Sequence, residues 1–286
     1  MRDSNIGEYS PWLKSFKRNM AKDVEIPGQY NGKTKPMPEY HVKIESFDER
    51  IVVMNSQRRP KCIIIRGNDQ REHKFLVKGG EDQRQDQRIE TLFELINDLL
   101  KSDSKCYQRN LQIKTYQVIP MTTKLALIEW IAETKTLKDA INEARTEDEI
   151  RKLESQIPEQ IHQEFIINAS KDSTNQNKLN YTDYYGYAFA CYKREYVTKS
   201  FKSIENLVPW DLFRRFVKSM ASSSESYFVL RNQFIVSYAV ASTCQYILGI
   251  GDRHLNNWII DTKTGQAIGI DFGMAFGYAV SIILFT

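Results

Sequence analysis

The order of strand-like and helix-like segments constrains the fold of this chain more than any other feature. Four short runs rich in β-branched and aromatic residues follow one another, each bounded by polar or turn residues: "HVKIESFD", "RIVVMNS", "KCIIIRGN" and "HKFLVKGG". Such a succession predicts an antiparallel sheet. Two further strand-like runs, "LQIKTYQVIPM" and "TKLALIEWIA", close this half, and helix formers dominate beyond Thr136. Strands gathered in one half and helices in the other predict an α+β fold.

A helical segment interrupts the strands. In "DQRIETLFELINDLLKSD" the apolar residues recur with helical period, so we expect one face of this helix to pack on the sheet. That face contains Ile89, Leu92, Phe93, Leu95, Ile96, Leu99 and Leu100. The residues before the first strand end in "EIPGQYNGKTKPMPEY", whose prolines and glycines predict little regular structure.

The second half is predicted to be mostly helical. Thr146 and Glu149 have the spacing of a capping box before an amphipathic turn. The polar run "NASKDSTNQNKLN" is typical of an exposed linker or insertion. Helical patterns resume in "LVPWDLFRRFVKSM" and "SESYFVLRNQFIVSYAVASTCQYILGIG".

Composition excludes several classes of function. A length of 286 residues is enough for one large domain or two modest lobes. The net charge of +4 is spread along the chain, which argues against a nucleic-acid-binding face. The four cysteines form no C-x-x-C pair, so neither a zinc site nor a disulfide framework is indicated. No apolar run is long enough to span a bilayer, and we expect a soluble intracellular protein.

The stretch "GIGDRHLNNWIIDTKTGQAIGIDFGMAF" carries the clearest chemical signal. Protein kinases use one carboxylate to orient the acceptor hydroxyl, and an Asn and a second Asp to hold magnesium. Here Asn257 follows Asp252 by five residues, and Asp271 of "DFG" follows it by nineteen, with strand-like "NWIID" and "AIGID" between. A lone "DRH" also fits a surface loop with an ion pair. The agreement of the spacings favours a phosphoryl-transfer site.

The histidine of this stretch has moved relative to the usual H-R-D order. His254 stands two residues after Asp252, where many protein kinases place a lysine that reaches the transferring phosphate. A cationic or hydrogen-bonding imidazole at that position can neutralise charge on the phosphoryl group. The exchange therefore preserves the electrostatic requirement of the reaction.

The phosphate-binding half of such a site is expected upstream. No G-x-G-x-x-G occurs in the chain. In its place "VVMNSQRRPK" joins two strands, and Asn55, Ser56 and Gln57 at its tip could offer backbone N–H groups to phosphate. A plain hairpin turn with solvated basic residues is the alternative.

A lysine two strands later is the second candidate for binding phosphate. In "HKFLVKGGEDQRQDQR", Lys78 ends an apolar strand and is followed by Glu81 and Asp86. A lysine held by carboxylates stays charged and aimed, as a phosphate-gripping lysine must. A solvated run of charges is the alternative.

Three stretches, "FLVKGGEDQRQDQRIETLF", "GIGDRHLNN" and "IGIDFG", resemble the phosphatidylinositol 3-kinase-related protein kinases. The similarity covers nearly all of residues 25–280 apart from residues 141–200. It implies a two-lobed atypical (PI3/PI4-kinase-like) fold. Its expected parts are a lead-in at 1–38, a β-rich N-lobe at 39–130 and a partial helical C-lobe at 131–286, with a variable insertion at 141–200.

The resemblance also implies an activity and a set of site residues. The family transfers the γ-phosphoryl group of ATP, bound with Mg²⁺ or alternatively with Mn²⁺, to Ser or Thr followed by Gln in protein substrates. The implied catalytic residues are Asp252 and His254, and the implied magnesium ligands are Asn257 and Asp271. The implied ATP-binding residues are Lys78 with Glu81 and Asp86 supporting it, Met54 and Ser56 in the phosphate loop, Leu76, Tyr116, Ile128 and Ile270 around adenine, and the backbone of Glu129 and Trp130 at the hinge.

For the full-length protein, the resemblance implies repair of DNA double-strand breaks by end joining in the nucleus. The implied partners are the Ku heterodimer and DNA ends. The sequence itself indicates no direct nucleic-acid site in this chain and no membrane association.

Two other functions stay open. A phosphoinositide kinase is disfavoured because "GMAFGYAVSIILFT", after the DFG aspartate, holds no Lys or Arg to bind a polyanionic head group. An inactive nucleotide-binding fragment is disfavoured because every chemical residue is present. It is favoured by Met274, which stands where the family has His, and by the stop at Thr286 before the remaining C-lobe helices. We therefore expect the apolar residues 282–285 to be exposed and solubility to be poor.

Overall fold

The computed structural model describes residues 2–30, 32–56, 58–155, 157–171 and 193–276. The chain divides into two compact units. The first consists of Met1–Thr134, Val236–Ala241 and Ile270–Gly273, and the second of Lys135–Ile235, Ser242–Gly269 and Met274–Thr286.

The first unit is built on a seven-stranded sheet of order β1-β3-β4-β5-β7-β6, with β2 also paired to β4. Every pairing in it is antiparallel. The strands are β1 (Arg2–Asn5), β2 (Ile44–Phe47), β3 (Arg50–Val53), β4 (Lys61–Gly67), β5 (Glu72–Gly79), β6 (Val118–Thr122) and β7 (Leu125–Glu129). The α+β class and the antiparallel sheet predicted from the sequence are confirmed.

The segment before β2 is more regular than its composition predicts. It contains β1, which pairs with β3, the helix α1 (Pro11–Ser15) and three 3-10 turns at Ile6–Glu8, Arg18–Met20 and Pro38–Tyr40. Ile6 and Phe16 are buried in the core of the sheet. The prediction of little regular structure was wrong for residues 2–20, because these apolar side chains anchor the segment and Ser10 caps α1.

Strand alternation divides the sheet into two unlike faces. Ile63, Ile65 and Phe75 point into the core of the first unit. Their neighbours in sequence point the other way, and the register pairs Cys62 with Leu76 on that second face. The second face carries the candidate site described below.

The helix α2 (Arg84–Ser102) is followed by the short α3 (Ser104–Gln108), and α2 packs against β6. Ile89 and Phe93 are fully buried. Leu95 and Leu99, which were expected on the same face, are more than half exposed. That part of the prediction was wrong: at about 100° per residue, Leu95 lies some 200° around the helix from Phe93.

The second unit combines a small sheet with helices. Its strands are β8 (Thr134–Thr136), β9 (Trp258–Asp261) and β10 (Ala267–Gly269), and β9 and β10 form an antiparallel hairpin. The helices of its described residues are α4 (Leu137–Glu143), α5 (Glu147–Ser155), α6 (Pro158–Lys171), α7 (Arg194–Glu205), α8 (Leu212–Met220) and α9 (Ser224–Ile247), although Val236–Ala241 of α9 belongs to the first unit.

The capping box before α5 is confirmed. The Thr146 N–H donates to the Glu149 carboxylate at 2.9 Å, and the Glu149 N–H donates back to the Thr146 hydroxyl at 3.3 Å. The same carboxylate accepts two bonds from Arg215 on α8, each 2.9 Å long. The cap of one helix therefore also fixes a second helix.

Four expectations concern other parts of the chain. The helix α6 takes in the first residues of the polar run "NASKDSTNQNKLN", whose remaining residues 172–180 lie outside the described residues, as do residues 282–285. Cys62, Cys106 and Cys244 are free thiols. Within the described ranges, we find no helix with both the length and the apolar character needed to cross a membrane.

The turn of the β9–β10 hairpin gives a stability prediction. Gly265 has φ +78°, and a Cβ there would lie 2.5 Å from the carbonyl oxygen of Leu230 on α9. We expect Gly265→Ala to lower the free energy of unfolding by about 3 kcal/mol or more, since strain and backbone overlap add. Gly32 is a matched control because it has φ +67° and open space around it.

Gly32→Ala is expected to cost only about 1–2 kcal/mol, the strain term alone. Chemical denaturation of both variants measures the difference. Equal losses would show that the approach of Leu230 to the hairpin does not matter.

Candidate active site

Strand β5 carries the lysine on which the candidate site is built. Lys78 and Leu76 are two residues apart on this strand, so their side chains share one face. On the neighbouring β7, Ile128 pairs with Leu76 and Ala126 pairs with Lys78. On this face the apolar pair of Leu76 and Ile128 lies beside Lys78, whose cross-strand neighbour is the small Ala126.

Two carboxylates hold the ammonium group of Lys78. Its Nζ lies 3.2 Å from Oε2 of Glu81 and 3.3 Å from Oδ2 of Asp271, and its side chain is 15% exposed. Burial opposes the charge, but the nearby charges of Asp271, Glu81 and Asp86 outweigh it, so the pKa of Lys78 is raised. Lys78 is therefore cationic at neutral pH and aimed at the aspartate of the "DFG" stretch.

The turn between β3 and β4, residues 54–60, is tied to the same cluster. Arg58 donates to the carbonyl oxygen of Gly80 at 2.6 Å, and its Nε lies 2.8 Å from Oε1 of Glu81. Met54 and Ser56 belong to this turn, and Ser56 is exposed at its tip. Gln57 lies outside the described residues. The carboxylate of Glu81 thus joins the strand lysine to the turn.

Asp86 acts on Lys78 through its charge and is also bonded to the "DFG" backbone. It is buried on α2 and forms no ion pair with Lys78; instead its Oδ2 accepts the N–H of Phe272 at 3.1 Å. Burial raises the pKa of Asp86, while the Phe272 N–H and Lys78 act against that rise. Gln85 adds a bond to the Phe272 carbonyl oxygen at 2.8 Å, and Phe93 contacts the Phe272 ring edge-on. Asp86 therefore anchors the "DFG" backbone.

A buried glutamate, which the sequence reasoning missed, lies one turn beyond Asp86. Glu90 is 4% exposed, and its carboxylate accepts the backbone N–H of Tyr116 at 3.2 Å. Burial, followed by the charges of Asp86, Glu94 and Glu129, raises the pKa of Glu90 to about 9. Glu90 is therefore protonated at neutral pH. The only signal in the sequence was an acid interrupting the apolar face of α2.

The predicted adenine-pocket residues all belong to the first unit. Leu76 and Ile128 are direct cross-strand partners, and Ile270 precedes Asp271 in the chain. Tyr116 is buried, and burial together with the charges of Glu90, Asp86 and Asp271 raises its pKa well above the usual range. Its hydroxyl is therefore neutral.

The backbone N–H groups of the two predicted hinge residues form hydrogen bonds within the first unit. The N–H groups of Glu129 and Trp130 are already used: the first donates to the Gln117 carbonyl oxygen at 2.8 Å and the second to that of Lys74 at 3.0 Å. The next N–H along, of Ile131, has no hydrogen-bond partner among the residues that the structure describes.

The second unit holds the loop of residues 251–257, here called the catalytic loop. Asp252 has φ +56°, a strained value for a residue other than glycine and one often found at functional sites. Asn257 is buried, and its Nδ2 donates to the Asp252 carbonyl oxygen at 2.9 Å. The asparagine therefore fixes the backbone of the aspartate five residues before it and keeps its own Oδ1 as an acceptor.

His254 is oriented by its own loop. Its Nδ1 accepts the N–H of Asn256 at 3.2 Å, which places the ring proton of the neutral imidazole on Nε2. That Nε2 lies 3.8 Å from Oδ1 of Asp252. The donor atom of His254 thus faces the side of the loop on which the aspartate lies.

The carbonyl oxygen of Met274 accepts the N–H of Gly251, the first residue of the catalytic loop, at 2.8 Å. This bond uses the backbone and is open to any residue type. The side chain that distinguishes methionine from histidine is not needed for it.

Comparisons with known proteins agree with this geometry. A family model described as phosphatidylinositol 3- and 4-kinase matches residues 72–285. The DNA-dependent protein kinase catalytic subunit of Xenopus laevis is 49% identical over 284 residues, which cover 98% of this chain and 7% of that protein. Serine/threonine-protein kinase TOR2 of Saccharomyces cerevisiae is 34% identical, with coverage of 96% and 10%.

The solved structure of the open conformation of CtTel1 superposes with a TM-score of 0.73 at 26% identity, covering 96% of this chain and 10% of that one. The α+β architecture, with a strand lysine paired to the "DFG" aspartate, defines the class as a kinase fold. The chain belongs to the phosphatidylinositol 3- and 4-kinase family, among the phosphatidylinositol 3-kinase-related protein kinases. It spans 7% of the length of the Xenopus relative.

The buried Glu90 gives a pH prediction. Its pKa is about 9 in the folded chain against 4.5 in the ordinary state, so its contribution to stability is complete below pH 4.5 and is lost as the pH rises towards 9. In that window the free energy of unfolding falls by up to about 1.4 kcal/mol per pH unit. Glu90→Gln should flatten this dependence while keeping an acceptor for the Tyr116 N–H.

Thermal unfolding across pH 4.5–9 measures the effect. The control is Glu45→Gln, which changes an exposed carboxylate on β2. The account of Glu90 is wrong if its variant keeps the pH slope of the parent.

Proposed function

We propose that this chain carries the nucleotide-binding and transfer residues of an ATP-dependent serine/threonine protein kinase, acting on Ser or Thr followed by Gln. The observation that carries the proposal is the ammonium of Lys78 held between Glu81 and Asp271. A mostly buried, charged lysine fixed beside a carboxylate is what phosphate binding with a bridging cation requires.

The cation ligands are Asp271 and Asn257. Carboxylate and amide oxygens are the donors that Mg²⁺ and Mn²⁺ prefer, and the Nδ2 of Asn257 is already used as a donor, which leaves its Oδ1 for a metal. No group of three or more His, Cys, Asp or Glu residues able to hold a metal occurs in the described ranges, so substrate phosphate is expected to supply further ligands. When bound, the metal neutralises the charge that develops on the phosphate oxygens.

The transfer itself uses residues of the catalytic loop. Asp252 orients the acceptor hydroxyl and takes its proton as the bond from the hydroxyl oxygen to the γ-phosphorus forms. The bond between that phosphorus and the β–γ bridging oxygen breaks, and ADP leaves. The Nε2–H of His254 donates to an oxygen of the moving phosphoryl group.

The base of the nucleotide is held by the first unit. Leu76, Ile128, Tyr116 and Ile270 supply apolar contacts. The backbone donor at the hinge is the N–H of Ile131 in place of that of Trp130, because the Trp130 N–H already bonds Lys74. The exposed tip of the β3–β4 turn, with Met54 and Ser56, covers the phosphates.

The physiological role is proposed from the relatives. Several similar proteins are named DNA-dependent protein kinase catalytic subunits. We assign this chain to a full-length kinase that acts in the nucleus in the repair of DNA double-strand breaks by end joining, recruited to DNA ends by the Ku heterodimer.

A transfer assay tests the substrate class. The full-length native protein should move phosphate from ATP to a peptide containing Ser-Gln and leave phosphatidylinositol vesicles unmodified. Asp252→Asn should lower the peptide rate by about a hundredfold or more, because the acceptor hydroxyl loses its proton acceptor. The control is Asp98→Asn, which alters an exposed carboxylate paired with Lys33.

Transfer to the vesicles alone would replace the protein substrate with a lipid. A peptide rate that survives Asp252→Asn unchanged would show that another enzyme is the source of the signal.

A further inference from the structure

The second unit contains a cavity of about 680 Å³ against the catalytic loop. Its volume lies within the usual range of about 300–1,000 Å³ for ligand sites. Lys138 and Arg145 supply its charges, Leu153 and Ile157 supply part of its apolar wall, and His254 and Leu255 of the catalytic loop close one side. Among the residues that line it, none is an aspartate or glutamate.

The guanidinium of Arg145 points to a missing acceptor. One of its terminal nitrogens, Nη1, is buried and has no hydrogen-bond partner among the residues that the structure describes, where its Nε makes a long 3.4 Å contact with Asn142. A buried donor left without a partner costs about 1–3 kcal/mol, and more for a charged group. We therefore expect Nη1 of Arg145 to donate a hydrogen bond to an acceptor on a bound ligand.

The second cation of the cavity is Lys138, which is exposed on α4. Neither Lys138 nor Arg145 forms an ion pair with any residue in the part of the chain that the structure describes. The cavity therefore combines two uncompensated cations with an apolar wall. A ligand that fits it carries an anionic group beside an apolar one.

A protein segment satisfies this description better than a nucleic acid does. Nucleic-acid backbones are bound by rows of cations that neutralise several phosphates. Two cations on an apolar wall suit one acidic side chain flanked by an aliphatic or aromatic neighbour. Since His254 lies both in the cavity wall and in the catalytic loop, a segment bound here reaches the residues assigned above to phosphoryl transfer.

We propose that this cavity is a subsite for the protein substrate, which receives an acidic side chain of the segment around the acceptor hydroxyl and pairs it with Lys138 and Arg145. The proposal rests on the protein kinase function proposed above. It assigns to these two residues a specificity role outside the chemical step.

The test uses the full-length native protein and a set of Ser-Gln peptides in which one glutamate is walked along an otherwise neutral sequence. At the preferred position, Glu should raise kcat/KM about tenfold over Gln, mainly through KM. Lys138→Gln and Arg145→Gln should each abolish most of that preference and leave the rate on the neutral peptide unchanged. The control is Arg151→Gln, which alters a solvent-facing arginine of α5.

A charge exchange gives a gain-of-function arm that a folding defect cannot imitate. Lys138→Glu should prefer the peptide that carries Lys at the position where the parent prefers Glu. Direct binding of labelled Glu and Gln peptides, followed by fluorescence anisotropy without ATP, measures the same preference independently of transfer. If transfer fails but the binding preference and its exchange are seen, the subsite holds and the kinase assignment fails.

Equal binding and equal kcat/KM for the Glu and Gln peptides at every position would overturn the subsite. A preference that survives both Lys138→Gln and Arg145→Gln would also overturn the subsite.

Inorganic triphosphate is the probe for a small anionic ligand. Its binding to the parent but not to Arg145→Gln, without any peptide preference, would replace the substrate segment with a free polyanion.

Discussion

The attraction between the ammonium group of Lys78 and the carboxylates around it is the interaction on which the site in the first unit depends. Glu81 just after β5, Asp86 on α2 and Asp271 of the "DFG" stretch lie around Lys78, and without a cation these carboxylates would repel. Lys78 is 15% exposed, but Glu81 and Asp271 are 36% and 48% exposed, so water screens these attractions in part, though less than between fully exposed charges. The strand, the helix and the "DFG" segment are therefore held together by a group that is also suited to grip phosphate.

The second shared constraint is the backbone of the "DFG" segment. Asp271 has φ +60°, and the N–H and carbonyl oxygen of the next residue, Phe272, are bonded by Asp86 and Gln85 of α2. The strained aspartate is thus fixed from its C-terminal side. In the second unit Asp252 is strained in the same way and is fixed by Asn257. In both places an amide or carboxylate side chain stabilises a backbone conformation that the aspartate alone would not adopt.

Local sequence patterns predicted the strands and helices but did not predict contacts between residues that are far apart in the sequence. The strands β2–β5, the helix α2 and the capping box follow from periodicity and spacing, which act within a few residues. The hydrogen bond from the Phe272 N–H to the Asp86 carboxylate joins residues 186 positions apart, and no local pattern indicates it. No local pattern indicates the contacts of Arg58 with Gly80 and Glu81 either, because those contacts depend on where β5 ends.

Burial was the other source of error. Glu90 looks like a surface acid in the sequence, and Leu95 looks like a core residue, yet the packing of α2 on β6 buries the first and exposes the second. At the hinge, the Trp130 N–H continues the sheet by donating to the Lys74 carbonyl oxygen, and for this reason the Ile131 N–H is the donor proposed for the base. Such details depend on the register of strands, which the sequence indicates only to within a residue or two.

The most direct test of the central claim is the affinity of the full-length protein for ATP, measured with and without Mg²⁺, for the parent and for Asp271→Asn. If Asp271 holds the metal beside Lys78, Mg²⁺ should tighten ATP binding to the parent and have little effect on the variant. An Asp271→Asn protein whose affinity for ATP rises with Mg²⁺ as much as that of the parent would contradict the account.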